Sequence, residues 1–77
     1  MTKRILDVLT SIRPEFDFSL SADYIADGML DSIDVVTLVS DLDREFSIGI
    51  EGVDILPENF RNLDAIRELL KKYGVET

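Results

Sequence analysis

The sequence contains neither cysteine nor histidine. Without cysteine the chain can form no disulfide, and thiol usage says nothing about the redox state of its compartment. Zinc sites built from cysteine and histidine are excluded, and so are the serine–histidine and cysteine–histidine pairs that activate a nucleophile. Any chemistry must therefore come from carboxylates, from lysines or from a group attached to the chain.

A long hydrophobic run is also missing. A helix that spans a membrane needs about 20 consecutive apolar residues, and no segment approaches that length. The polar start of the chain, interrupted by Asp7, is not typical of a secretory signal. We therefore expect a single soluble domain, residues 1–77, that is cytoplasmic, monomeric and not inserted in a membrane. The start at Met1 and the polar end favour a discrete protein.

Basic residues are scarce in the middle of the chain. Twelve acidic residues lie between positions 14 and 60, against one base, Arg44, and the formal net charge of the chain is −8. Such an acidic centre disfavours binding to nucleic acids or anionic membranes and favours basic protein partners. A plainer interpretation is that the acidic residues keep a small domain soluble.

Apolar residues recur at helical spacing in three segments. A first helix is predicted from Thr2 to Arg13 and is followed by Pro14, and a second over residues 32–46. The third helix is predicted to begin after Asn62, which can cap it, and to stop at Gly74.

The connections between these helices carry their own signals. Residues 15–31 show no helical period but contain many apolar side chains, so they predict a long first loop pinned to the core. Pro57 predicts one short helical turn. Gly49 and Gly52 are expected to end the second helix. Three apolar residues of that segment are expected to fill the core: Ile48, Ile50 and Val53. The predicted fold is all-α, an irregular four-helix bundle of three main helices, one short helix and a long first loop.

The start of the second helix has a more specific pattern. Asp31 is suited to cap the helix, and Asp34, three residues later, completes something close to a capping box. Ser32, the first residue inside the helix, is then not needed for capping. Its hydroxyl lies where the helix dipole and the free amides favour an anion, so a phosphodiester on Ser32 would be stabilised there.

Two aliphatic residues, Ile33 and Val36, lie outside the apolar stripe of the second helix. Acidic residues border them, namely Asp34, Asp41 and Asp43, and together they predict a small contact patch for partner proteins. Single exposed aliphatic residues are normal on any protein, and this alternative stays open. The stripe itself is predicted to face the core with five residues: Val35, Leu38, Val39, Leu42 and Phe46.

Residues 27–34 read Asp-Gly-Met-Leu-Asp-Ser-Ile-Asp and are followed by Val-Val-Thr-Leu-Val. This pattern resembles the modification site of acyl and peptidyl carrier proteins. The resemblance covers nearly the whole chain, because the length, the acidity and the order of helices around the motif also match. It implies that Ser32 carries 4′-phosphopantetheine, attached from coenzyme A by a phosphopantetheinyl transferase, with Asp31 as the helix cap beside the site and no metal ion.

The resemblance also implies a carrier, not an enzyme. Such a carrier holds an acyl or aminoacyl group as a thioester and presents it to enzymes of fatty acid, polyketide, peptide or related specialised biosynthesis. The expected partners are the transferase and the loading and downstream enzymes, which have basic docking surfaces. The residues expected to contact these partners are Ile33, Asp34, Val36 and Asp41.

The chain departs from carriers of fatty acid synthesis, which typically have a denser acidic stripe along this helix. Here Thr37, Ser40 and Arg44 dilute that stripe. The approach to Ser32 and the turn after Pro57 are more similar to those of stand-alone carriers from specialised or peptide-type pathways. The nature of the carried group is therefore open.

Two functions of other classes are alternatives. A calcium-binding loop of twelve residues can be counted from Asp23, but Ile25 then occupies the third position, where a ligand is needed, and Asp34 the last, where glutamate is usual. The other alternative is an unmodified acidic interaction module in which Ser32 carries nothing. Measuring the mass of the protein after incubation with coenzyme A, magnesium and a transferase separates these possibilities from a carrier.

Overall fold

The computed structural model describes residues 2–75 of the chain, which form helices joined by loops and contain no strand. The all-α prediction is thus confirmed for this part of the protein. No helix in this range is long and apolar enough to cross a membrane. The helices, in chain order, are α1 (Thr2–Ile12), α2 (Ser32–Phe46), two short 3-10 helices (Gly52–Asp54 and Pro57–Asn59) and α3 (Leu63–Lys72).

The short helix expected after Pro57 is a 3-10 helix of three residues, with Pro57 in its first turn. A second 3-10 helix, Gly52–Asp54, precedes it and was not predicted. The structure is therefore a compact bundle of three α-helices with two short helical turns between α2 and α3.

α1 packs against both α2 and α3. It ends before Pro14, because the ring of a proline disfavours helical geometry in the residue that precedes it. Arg4, near the start of α1, contacts Glu45 at the end of α2, whereas Arg13, just after α1, contacts Asp34 at the start of α2. α1 and α2 therefore run antiparallel.

The predicted apolar stripe of α2 faces the core. Four of its five residues are buried, and the fifth, Phe46, is half-buried. The guanidinium of Arg4 covers the Phe46 ring, with 4.6 Å between Cζ and the ring centroid. Burial of this stripe leaves the opposite side of α2 to solvent. The four buried residues are Val35, Leu38, Val39 and Leu42.

The prediction that glycines end α2 is wrong. Ser47 adopts the left-handed conformation with φ of 56°, and its amide donates to the carbonyl of Asp43. The amide of Ile48 donates to the same carbonyl at 3.0 Å. Glycine is the usual residue at such a helix end because it has no Cβ. Here the Asp43 carboxylate accepts the amide of Ile50 at 2.9 Å and holds the following segment against the end of the helix.

Tyr24 organises the long connection between α1 and α2. Its side chain is fully buried, and its hydroxyl donates to the carbonyl of Phe18 at 2.8 Å. The two rings meet edge to face with centroids 5.0 Å apart. The carbonyl of Tyr24 accepts the amides of Met29 and Leu30, and Gly28, with φ of 72°, makes the turn that brings them back. The predicted pinning of this loop to the core is confirmed.

The segment after α2 is held by Asp54 and not by Val53. The expectation that Val53 fills the core is wrong, because 74% of this residue is exposed. The Asp54 carboxylate instead accepts hydrogen bonds from the Lys72 ammonium at 2.8 Å and from the Tyr73 hydroxyl. These hydrogen bonds hold the pKa of Asp54 below its ordinary value. Of the other two residues expected in the core, Ile50 is buried and Ile48 is half-buried.

The ends of α3 agree with the prediction. The Asn62 side chain accepts the amide of Ala65 at 2.7 Å and caps the start of the helix. At the other end Gly74 has φ of 83°, and the amide of Val75 reaches back to the carbonyl of Leu70 at 3.0 Å. This arrangement satisfies the last carbonyls of the helix.

Replacing Tyr24 by Phe tests the anchoring of the first loop. The substitution keeps the buried ring but leaves the carbonyl of Phe18 without its donor, so we expect the free energy of unfolding to fall by about 1 kcal/mol. For a domain of this size the melting temperature should fall by about 4–8 °C. Urea denaturation followed by circular dichroism measures the change. An unchanged denaturation midpoint would show that this hydrogen bond does not hold the loop.

Candidate functional site

Ser32 is the first residue of α2, as predicted. It is exposed, and its hydroxyl has no hydrogen-bond partner among residues 2–75. Asp31, directly before it, has the extended backbone of a helix cap, with φ of −104° and ψ of −175°. The serine hydroxyl is therefore open to solvent at the start of a 15-residue helix.

A complete capping box surrounds Ser32, and the structure confirms the pattern predicted for it. The amide of Asp34 donates to Oδ1 of Asp31 at 2.8 Å. In return, the amide of Asp31 donates to Oδ2 of Asp34 at 3.1 Å. Since the two carboxylates do the capping, the hydroxyl of Ser32 is left for other chemistry.

Asp34 does not border the contact patch as expected. It is 9% exposed, and its carboxylate is bound by Arg13, which directly follows α1. Both Nε and Nη2 of Arg13 lie 2.9 Å from Oδ2 of Asp34. Burial by itself would raise the pKa of Asp34, but the hydrogen bonds from Arg13 and from the Asp31 amide, together with the positive charge, outweigh it and lower that pKa. Asp34 is therefore an ionised residue that holds the structure together at the start of α2.

Arg13 is the residue of this site that the sequence analysis missed. Besides its contact with Asp34, its guanidinium lies 3.7 Å from Asp31 and 3.6 Å from Glu15. Its position in the sequence, directly after the apolar stripe of α1 and before the acidic middle of the chain, was a signal that could have found it. Arg13 is the last basic residue before the acidic stretch of residues 14–60, which contains its three acidic partners.

The exposed side of α2 carries the two predicted aliphatic residues. Ile33 is 74% and Val36 60% exposed, and because they are three residues apart on a helix their side chains are neighbours. We call Ile33 and Val36 the apolar patch. Asp41, farther along the helix, is partly exposed and makes an ion pair with Arg44. Of the four residues predicted to contact partners, three are accessible and Asp34 is not.

The carboxylates of Asp23 and Asp27, in the loop before α2, accept hydrogen bonds from other residues of that loop. The Asp23 carboxylate accepts the amides of Ile25 and Ala26 at 3.1 and 3.0 Å. Asp27 accepts the hydroxyl of Ser21. Over the described range 2–75, no three acidic side chains are grouped so that they could hold a metal ion.

Comparison with protein-family models, with curated proteins and with solved structures finds no match. What the site can do is therefore inferred from its own geometry. It offers one exposed hydroxyl, a helix start whose free amides favour an anion, and an apolar patch one residue farther along the chain.

Replacing Asp31 by Ala should separate capping from any role of the serine. Loss of an N-cap carboxylate typically costs about 1 kcal/mol of stability, so the melting temperature should fall by about 4–8 °C. Ser32→Ala should leave the melting temperature nearly unchanged, because the hydroxyl makes no hydrogen bond within residues 2–75. Thermal unfolding followed by circular dichroism compares the two variants. A larger loss for Ser32→Ala than for Asp31→Ala would contradict this division of roles.

Proposed function

We propose that the protein is an acyl or aminoacyl carrier whose Ser32 is modified with 4′-phosphopantetheine. The observation that carries the proposal is the exposed hydroxyl of Ser32 at the first position of α2, left unused by a capping box between Asp31 and Asp34. The motif around Ser32 supports it as well. The compact helical bundle is compatible with a four-helix carrier fold, in which the 3-10 helix Pro57–Asn59 would stand at the place of the short helix.

The site fits a phosphodiester in two respects. The Ser32 hydroxyl is accessible, and the amides at the start of α2 favour a negative charge beside it. In the proposed modification, Oγ of Ser32 bonds to the phosphorus nearer the pantetheine, and the bond from that phosphorus to the bridging diphosphate oxygen breaks. Adenosine 3′,5′-bisphosphate leaves with the bonding pair. The proton of the serine passes to a base on the transferase.

The attached arm would supply the thiol that this cysteine-free chain lacks. A group held as a thioester on that thiol stays tethered while it visits several enzymes, which raises its effective concentration at each of them. The chain itself needs no catalytic residue for this function. Its contribution is to expose Ser32 and to be recognised.

Recognition in this proposal depends on the apolar patch of Ile33 and Val36 next to Ser32. Its exposure is suited to a small apolar contact at the centre of a transient interface. The excess of acidic residues attracts partners with basic docking surfaces, among them the transferase and the loading and downstream biosynthetic enzymes. We infer that Asp41 belongs to the docking surface around the apolar patch. Asp34 contributes to that surface indirectly, because its hydrogen bonds hold the start of α2 in place. The proposed carrier is a cytoplasmic monomer.

Incubation with coenzyme A, magnesium and a phosphopantetheinyl transferase of broad specificity tests the modification. Intact-mass measurement should show the addition of one phosphopantetheine to the wild-type chain and none to Ser32→Ala. Ser40→Ala is the matched control, because Ser40 is also exposed on α2 but lacks the capping box. It should be modified at the wild-type rate. A wild-type chain left unmodified, or a modified Ser32→Ala chain, would refute the proposal.

The docking surface is tested by reversing the charge of Asp41. We expect Asp41→Lys to slow modification several-fold at low salt and much less at high salt, because salt screens the attraction between exposed charges. Glu68→Lys makes the same charge change on α3, where Glu68 is exposed, and should have the smaller effect. The initial rate at several ionic strengths is the measurement.

Equal rates for Asp41→Lys and Glu68→Lys at low ionic strength would remove Asp41 from the docking surface. Asp34→Lys is unsuitable for this test, because Asp34 is buried and bound to Arg13. A lysine at position 34 would place two positive charges together and break the capping box, so it should destabilise the start of α2 whatever its effect on docking.

A further inference from the structure

We propose that Arg13 is a positioning residue for Ser32: its guanidinium fastens the turn that contains Ser32 to the end of α1 and so presents the hydroxyl to the transferase. This inference rests on the proposed function. Arg13 does not touch Ser32 in the structure and acts on it through the two residues of the capping box, Asp31 and Asp34.

Arg13 contacts both ends of the first turn of α2, because its guanidinium lies close to Asp31 and to Asp34. Oδ2 of Asp34 accepts Nε of Arg13 at 2.9 Å and also the backbone amide of Asp31 at 3.1 Å. One carboxylate oxygen therefore joins the chain after α1 to the cap of α2. Ser32 and Ile33 lie between Asp31 and Asp34 in the sequence, so they belong to the turn that this oxygen closes. Movement of Ser32 away from the bundle requires that these hydrogen bonds break or move together.

The charge of Arg13 matters for the same turn. Asp31 and Asp34 flank Ser32, and a phosphodiester on Ser32 would add a third negative charge within one turn of helix. Like charges this close oppose the approach of the coenzyme A diphosphate. The guanidinium, at 2.9 Å from Asp34 and 3.7 Å from Asp31, offsets that repulsion. Arg13 thus fixes the serine and also lowers the electrostatic cost of modifying it.

Arg4 provides a matched control within the same pair of helices. It also joins α1 to α2, with 3.0 Å between Nη2 and the Glu45 carboxylate, and it covers the ring of Phe46. The two ion pairs lie near opposite ends of α2, because their acidic partners, Asp34 and Glu45, are about 17 Å apart along the helix. Arg4→Gln and Arg13→Gln therefore remove the same charge and the same type of contact between α1 and α2, and only Arg13→Gln acts at Ser32.

Hydrogen exchange of the unmodified protein is the first measurement, because it does not depend on the transferase. The amide of Asp34 donates to Asp31 Oδ1 and the amide of Val35 donates to the Asp31 carbonyl. In Arg13→Gln both amides should exchange about tenfold faster, as expected when local opening becomes easier. In Arg4→Gln these two amides should keep their wild-type rates.

Modification kinetics are the second measurement, made at about 0.5 M salt so that long-range charge effects are largely screened. We expect kcat/KM for modification of Arg13→Gln to be about tenfold below wild type, because a loosely held hydroxyl spends less time in the reactive orientation. Arg4→Gln should lie within about twofold of wild type. Arg13→Lys should fall between wild type and Arg13→Gln, because an ammonium keeps the charge but lacks the fork of two donors.

The outcomes separate this inference from the carrier proposal. If no transferase modifies the wild-type chain, both are wrong. If the wild-type chain is modified and Arg13→Gln matches Arg4→Gln in exchange and in kcat/KM, the role of Arg13 alone is wrong. Should Arg13→Gln fail to fold, Arg13→Lys takes its place, and a wild-type rate for that variant overturns the role of Arg13.

Discussion

The candidate site depends on the hydrogen bonds and the ion pair made by the buried carboxylate of Asp34. A charge taken out of water is costly unless it is paired and hydrogen-bonded, and here the compensation comes from two directions. Arg13, just after α1, supplies a hydrogen bond from Nε and an ion-pair contact from Nη2, and the backbone amide of Asp31 supplies a second hydrogen bond from the start of α2. Neither helix end could shift alone without leaving this carboxylate short of partners. The position of Ser32 follows from that constraint.

The features predicted correctly from the sequence are those governed by local rules. A helix cap and its partner are three residues apart, so Asp31 and Asp34 could be recognised as a capping box without knowledge of the fold. The side of α2 on which Ile33 and Val36 lie follows from helical periodicity alone, and both are exposed. The first residue of α2 and the cap of α3 were likewise predicted, because their signals lie within one turn of the helix start.

The features that the sequence did not reveal depend on contacts between distant segments. Arg13 and Asp34 are 21 positions apart, and their ion pair depends on the antiparallel packing of α1 and α2. A projection of α2 alone therefore put Asp34 at the border of the patch, whereas packing buries it. Ser47 ends α2 in a conformation that favours glycine, with the next segment held by Asp43. The exposure of Val53 follows from the way Asp54 turns that segment toward α3.

The acidic character of the chain divides into two physical roles. Several carboxylates, including those of Asp34, Asp43 and Asp54, are consumed by hydrogen bonds that define the fold. Pairing does not remove their charge from the total, so in the proposed carrier the net charge of −8 would still act on partners at long range. At short range the same groups are directed inward and cannot discriminate between partners. In the proposed carrier, discrimination between partners would fall to the groups directed outward, chiefly the apolar patch beside Ser32, because contact with Ile33 and Val36 requires complementary shape and not charge alone.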